Sequence, residues 1–163
     1  MVEITYRPAR AEDAVYIRSL IHEARINPVG LNWRRFLLAV TPDGKVVGCA
    51  QIKPHYDGSS EFASLAVDPT HRGRGIARNL IEQLLKTSPH PIYLTCRSGL
   101  GPFYVRFGFR VADQNDLPPY FRRLKRLADI FLHGKHGEAL LIMCRYDETS
   151  SLNTGSNTYL KLD

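Results

Sequence analysis

Apolar positions along the chain switch between a period of two and a period near 3.6, and the switches mark out its elements. Residues 2–7 alternate apolar and polar side chains and predict a first strand. Between 8 and 25, Ala14, Ile17, Leu20, Ile21 and Ala24 fall on one helical face. Pro28 and Gly30 then interrupt the pattern, so 27–33 reads as a loop or short helical turn. Residues 36–41 and 46–55 predict two strands around the hairpin turn Pro42-Asp43-Gly44-Lys45. A second turn spans 56–60, and a strand at 61–67 stops at Asp68-Pro69, which cannot comfortably continue it. Ile76, Ala77, Leu80, Ile81, Leu84 and Leu85 next repeat at helical spacing, ending at Ser88-Pro89. A strand at 92–96, a short helix at 102–107, a strand at 109–112 and a last apolar strand at 139–146 complete the pattern.

The long connection 113–138 carries a helix of its own. Over 118–132, Phe121, Leu124, Leu127 or Ala128, and Phe131 recur at helical spacing, with Arg122, Arg123, Lys125 and Arg126 between them. Residues 147–163 are dominated by Ser, Thr, Asn and Gly and predict a flexible tail behind a single domain at 1–146. The chain's 163 residues are enough for that domain to bury a core of its own.

Composition removes several function classes. No apolar run reaches membrane-spanning length, and the start lacks a basic segment followed by an apolar one. A cytoplasmic location is expected. Cys49, Cys96 and Cys144 are an odd set without metal or redox spacing and read as buried small apolar residues. His133 and His136 flank a glycine without carboxylate or thiol partners, so no metal is expected. No Ser-His-Asp or Cys-His arrangement indicates covalent catalysis. The net charge of +6 calls for a polyanionic partner, which a nucleic acid or a phosphorylated cofactor would satisfy.

The chemistry concentrates at Arg72-Gly73-Arg74-Gly75-Ile76-Ala77, where a basic glycine loop enters a helix. A helix N-terminus presents unpaired N–H groups, the glycines leave them approachable, and Arg72 and Arg74 add positive charge. This stretch reads as a phosphate cradle. A P-loop would need Lys-Ser/Thr after the second glycine, where Ile76-Ala77 stand. A dinucleotide fingerprint would need a third glycine and a later acid, whereas the next strand ends at Arg97, leaving only a weak NADP-like reading.

Arg-x-x-Gly-x-Gly/Ala after a Val-Asp-Pro strand end resembles the acyl-CoA loop of the GNAT N-acetyltransferase superfamily. Phe103-Tyr104-Val105-Arg106-Phe107-Gly108-Phe109 is similar to that superfamily's Phe-Tyr-x-x-x-Gly-Phe segment, in the right order and at the right separation. The resemblance covers about residues 4–110. It implies an α/β fold with a mixed, mostly antiparallel sheet flanked by helices and with splayed middle strands. It implies acetyl-CoA as acyl donor and direct attack by a primary amine, on a small molecule or a protein. Arg72 to Ala77 would hold the cofactor's phosphates, and the main chain of Leu65, Ala66 and Val67 its pantetheine and thioester. Tyr104 would be the general acid toward the departing thiolate, or would position the sulfur. Arg97 replaces a usual asparagine and would pair with a CoA phosphate instead.

Several readings stay open at this stage. Glu61 stands where some protein-acetylating members carry a catalytic base, and on an alternating strand it would share a face with Ala63, Leu65 and Val67. It also reads as a solvated glutamate at a strand start. Trp33 and Arg35 would border the acceptor site, or Trp33 would cap the first helix. The basic helix 118–132, unusual for the superfamily, could pack on the sheet, cover an acidic acceptor, or lie on an anionic membrane or nucleic acid. A non-catalytic acyl-CoA-binding domain on the same fold would show much of the same pattern. The acceptor's identity and the oligomeric state are not encoded in any motif.

Overall fold

The computed structural model describes residues 3–132 and 139–147; the tail beyond 147 and the His133/His136 pair lie outside the described residues. Seven strands form one sheet: β1 (Thr5–Pro8), β2 (Phe36–Val40), β3 (Val46–Pro54), β4 (Ser60–Val67), β5 (Ile92–Arg97), β6 (Arg110–Val111) and β7 (Leu140–Arg145). Their order across the sheet is β1-β2-β3-β4-β5-β7-β6. β4 and β5 are parallel neighbours; the other pairs are antiparallel. Among the described residues, four α-helices accompany the sheet: α1 (Ala14–Glu23), α2 (Ile76–Thr87), α3 (Gly101–Val105) and α4 (Pro119–Leu132). The expected mixed, mostly antiparallel sheet is present, with elements within a few residues of the periodicity.

Side-chain alternation assigns the helices to faces. Ile92, Leu94 and Cys96 of β5 join Ile76, Leu80, Ile81 and Leu85 of α2 and Tyr104 of α3 in one cluster. Tyr93, between them, points the other way and packs with Phe121 of α4 and with Ile142 and Cys144 of β7. On β2 and β3, Leu38 and Cys49 pack with Ile17, Leu20 and Ile21 of α1. α2 and α3 therefore cover one face, and α1 and α4 share the other.

α1 begins where its apolar pattern does, at Ala14. A short 3-10 turn, Ala11–Asp13, precedes it, because Asp13 turns inward. Its carboxylate accepts from both terminal nitrogens of Arg7, at 2.7 and 3.0 Å, and from the Arg10 N–H at 2.7 Å. The Arg7 guanidinium holds this carboxyl below its ordinary value. The resulting stabilisation is complete above the ordinary value of 3.8 and is lost as pH falls through the lowered one.

α4 forms where the 118–132 pattern predicts a helix, and it packs on the sheet by Phe121, which is fully buried. Leu127 is 53% exposed, whereas Ala128 is half-buried, and Leu124 packs with Phe121 against the sheet. Arg122, Arg123 and Arg126 face solvent. Asp57, in the β3–β4 turn, accepts from the Tyr120 N–H at 2.8 Å and ties the start of α4 to that turn. Burial pushes the Asp57 carboxyl up, but bonds from Ser59 and from the Tyr120 N–H outweigh it and leave the group lowered.

α2 lies close on β3 because position 48 has no side chain. A Cβ at Gly48 would stand 2.8 Å from Ile76 Cγ2 and 3.3 Å from both Ala39 Cβ and Leu80 Cδ1. Gly48→Ala is expected to destabilise the fold by about 1–3 kcal/mol, read as a lowered Tm. Because Ile76 opens α2, the same change should also disturb the glycine loop that leads into the helix. An unchanged Tm would mean that α2 is not set by this contact.

Candidate active site

The site is organised by a gap. β4 and β5 run side by side, but only Ser60↔Ile92 and Glu61↔Tyr93 are paired. From Phe62 onward the two strands separate, which is the expected splay. The cause is visible in β4: its pairing with β3 shifts register between Cys49 and Gln51, and Ser64 adopts a φ of 59°. A non-glycine residue in that region is uncommon and costs strain, so something must hold it. Two buried β3 side chains do so. Gln51 Nε2 donates to Ser64 Oγ at 2.9 Å, and Cys49 Sγ lies 3.7 Å from the Ser64 carbonyl oxygen that it donates to.

This bulge corrects one expectation. Glu61 does not share a face with Leu65 and Val67. One extra residue inverts the alternation, so Leu65 and Val67 pack on the α2 side with Phe62, and Ala66 packs on the α1 side. Glu61 and Ala63 also face α1 and α4. Beyond the bulge, β4 has no ladder partner on its β5 side among the described residues. The Asp68 N–H donates to Val47 O at 2.9 Å, so strand alternation turns Ala66 toward β3 and Leu65 and Val67 toward the gap. Arg72 Nε caps the Val67 carbonyl at 3.2 Å.

The cradle lies at the end of β4 that the gap opens onto. Asp68 caps a 3-10 turn, Pro69–His71, by accepting from the Thr70 N–H at 2.8 Å and the Thr70 hydroxyl at 2.6 Å. Lys45 binds its second oxygen at 2.9 Å. The Thr70 hydroxyl and then Lys45 hold this carboxyl far below the carboxylate range, so the turn keeps its cap at every pH above 3.8. The chain then passes through Gly73 and Gly75 with φ of 76° and 77°, a conformation that glycine adopts freely. Among the described residues, no protein acceptor meets the N–H groups of Gly73, Arg74 or Gly75. A Cβ at Gly73 would touch nothing, and one at Gly75 only Asn79 Nδ2, at 3.8 Å. Backbone conformation, rather than packing, requires glycine at both positions. Arg97 ends β5, parallel to β4 and across the gap from the cradle strand.

Tyr104 and Glu61 lie on opposite faces of the gap. Tyr104 packs edge-on against Phe62 of β4, with ring centroids 6.4 Å apart, and against Phe103 and Phe109. Burial first, and then Cys96 of β5, pushes its hydroxyl up to about 12. Glu61 is 5% exposed, with both oxygens engaged. Thr95 Oγ1 donates to Oε1 at 3.0 Å, and His55 Nε2 meets Oε2 at 2.9 Å. The His55 ring is stacked on Tyr120 of α4 at 3.5 Å and meets the edge of Phe121 at 5.4 Å. Glu61 is thus a buried, oriented carboxylate rather than a solvated one. His55 and Thr95 are functional candidates that motif reading misses. Their signal is faint: His55 and Glu61 flank a tight turn that the His55 N–H closes on Ser59 O at 2.9 Å.

Trp33 packs partly buried against the α1 cluster, with the Arg34 guanidinium 4.4 Å over its ring. The three cysteines are buried, and burial pushes the Cys49 thiol up to about 12, so it is no nucleophile. Among the described residues, no group of three His, Cys, Asp or Glu side chains gathers to hold a metal. None of the helices among them is long and apolar enough to cross a membrane.

Comparison with known proteins places the chain in a family and shows its fold in other structures. Residues 5–109 match the model of the Acetyltransferase (GNAT) family, well over half of the chain, and the protein belongs to that family. No protein of curated function matches it significantly in sequence. The fold is shared with N-acetylglutamate synthase from Neisseria gonorrhoeae complexed with coenzyme A and N-acetyl-glutamate (TM-score 0.67, 21% identity), over 90% of this chain. The chain spans only 35% of that synthase. It is also shared with Rv2747 from Mycobacterium tuberculosis in complex with CoA and NLQ (0.61, 22%), over 85% of this chain and 97% of that one. Arabidopsis thaliana Naa50 with the bisubstrate analogue CoA-Ac-MVNAL gives 0.58 and 20%, over 90% of this chain and 100% of that one.

Proposed function

We propose that the protein transfers an acetyl group from acetyl-CoA to a primary amine by direct attack. The observation that carries this reading is the placement of Tyr104 and Glu61 on opposite sides of one strand gap. An amine entering from the α1/α4 face would meet Glu61, while the thiolate departs toward Tyr104 on the α2 face. The unpaired N–H groups of Gly73 to Ala77, with Arg72, Arg74 and Arg97, suit the cofactor's phosphates. The main chain of Leu65 to Val67 suits the pantetheine and the thioester oxygen. The synthase and Naa50 structures, with their amino-acid and peptide ligands, support an amine acceptor of either kind.

Protons would be handled separately on the two faces. A lysine-like amine with a pKa near ~10.4 is almost wholly protonated at neutral pH, and Glu61 is the base that relieves it. With its pKa near 12, the Tyr104 hydroxyl stays protonated throughout the working range. It is a weaker acid than a thiol of about 8.5 or above, so its role is a hydrogen bond to the departing sulfur rather than complete proton transfer. Tyr104→Phe is expected to lower kcat about tenfold or more, with the KM for acetyl-CoA little changed. An unaltered rate would remove Tyr104 from the mechanism.

The test of the activity is thiol release from acetyl-CoA against small amines and lysine-bearing peptides at matched amine concentration. Release that requires an amine supports the reading, and the pool that elicits it separates metabolite from protein acetylation. Acetyl-CoA binding without release on any amine would overturn it in favour of a non-catalytic acyl-CoA-binding domain.

A further inference from the structure

Directly across the β3–β4 ladder from Glu61 stands Lys53. Opposite charges in such a register ordinarily pair. Here they do not: the Glu61 carboxylate is taken by Thr95 of β5 and by His55 at the β3–β4 turn, whereas Lys53 Nζ donates to Val29 O at 3.1 Å. Among the described residues no carboxylate pairs with Lys53. An ammonium has three donors, and one is used.

The loop after α1 holds Lys53 in place. Gly30, with a φ of 75°, passes so close that a Cβ there would stand 3.0 Å from Lys53 Cε and 3.2 Å from Nζ. Two residues before Lys53 on the same face is Gln51, fully buried, with Oε1 lacking any donor. The floor between the α1 loop and α4 thus offers an unpaired cation at one end and an engaged carboxylate at the other. An unfilled acceptor is buried beside them.

We propose that Lys53 receives an anionic group of the acceptor, so that the acceptor is an amine that also carries a carboxylate. This inference rests on the reading of the gap as an acetyl-transfer site. Its logic is orientation: the ammonium of such a molecule is drawn to the Glu61 end and its carboxylate to Lys53, which presents the amine to the gap. A single ammonium with two free donors matches the single charge of a carboxylate; a phosphate dianion would stay half compensated beside it.

The experiment uses the full chain saturated with CoA. Equilibrium binding is measured for free amino acids, β-alanine and γ-aminobutyrate, each against its own carboxamide, and acetyl transfer is measured in parallel. In the wild type, at least one acid should bind about tenfold or more tightly than its carboxamide. Lys53→Met should abolish that preference without weakening the carboxamide or acetyl-CoA, and Lys53→Arg should retain it. Equal binding of acid and amide in the wild type, binding of neither, or a preference that survives Lys53→Met would overturn the proposal. Preferential binding of the acid without acetylation of it or of any other amine would support the Lys53 site while sinking the catalytic reading. Acetylation without preference would do the reverse.

Discussion

Glu61→Gln is expected to lower kcat about 100-fold at neutral pH while leaving the KM for acetyl-CoA within about twofold. Glutamine keeps the size of the side chain and can still accept from the Thr95 hydroxyl, so the packing beneath α4 survives. What it loses is the capacity to take a proton from the incoming ammonium. The pH profile separates this role from a structural one. As pH approaches the amine's own pKa of ~10, the substrate deprotonates without help, and the deficit of the variant should shrink steadily. A deficit that stays constant with pH would make Glu61 a positioning residue for His55 and α4. A rate equal to the wild type would place the base elsewhere.

The cradle was legible in the sequence because its demands are local. The φ of 76° and 77° at Gly73 and Gly75 are conformations that few other residues adopt, and the helix they open announces itself by period. Tyr104 was legible only through its neighbours in a motif; nothing in the periodicity shows that Phe62 of β4 and Cys96 of β5 would enclose its ring. The bulge at Ser64 was hidden for a physical reason. Residues 61–67 contain no glycine or proline, and the groups that hold the strained residue belong to another strand, Cys49 and Gln51. A one-residue slip imposed from across the ladder then moved Glu61 to the face opposite Leu65. The Glu61 network was hidden likewise, since Thr95 lies 34 residues away and the ring over His55 comes from α4. The amphipathic pattern of α4 announced a helix with a basic face, but it could not say that Tyr120 would stack on the His55 ring.

Gly75→Val is expected to abolish acetyl-CoA binding, raising Kd at least about 100-fold, while the protein stays folded. Two costs fall on different states. In the free protein, valine must take or escape a φ of 77°, a penalty of roughly 1–2 kcal/mol that the fold can absorb. Packing adds little, because the nearest atom to a Cβ at this position is Asn79 Nδ2, at 3.8 Å. In the complex, the branched side chain stands among the N–H groups that would cradle the phosphates. Each hydrogen bond lost to a charged oxygen is worth about 1.5–3 kcal/mol, so losing two exceeds the whole folding penalty. Calorimetric titration with CoA beside a Tm measurement separates the two effects. A modest fall in Tm with no detectable binding supports the cradle assignment. Wild-type affinity in a folded variant would show that the phosphates bind elsewhere, and with them the direction of the thioester in the gap would have to be drawn anew.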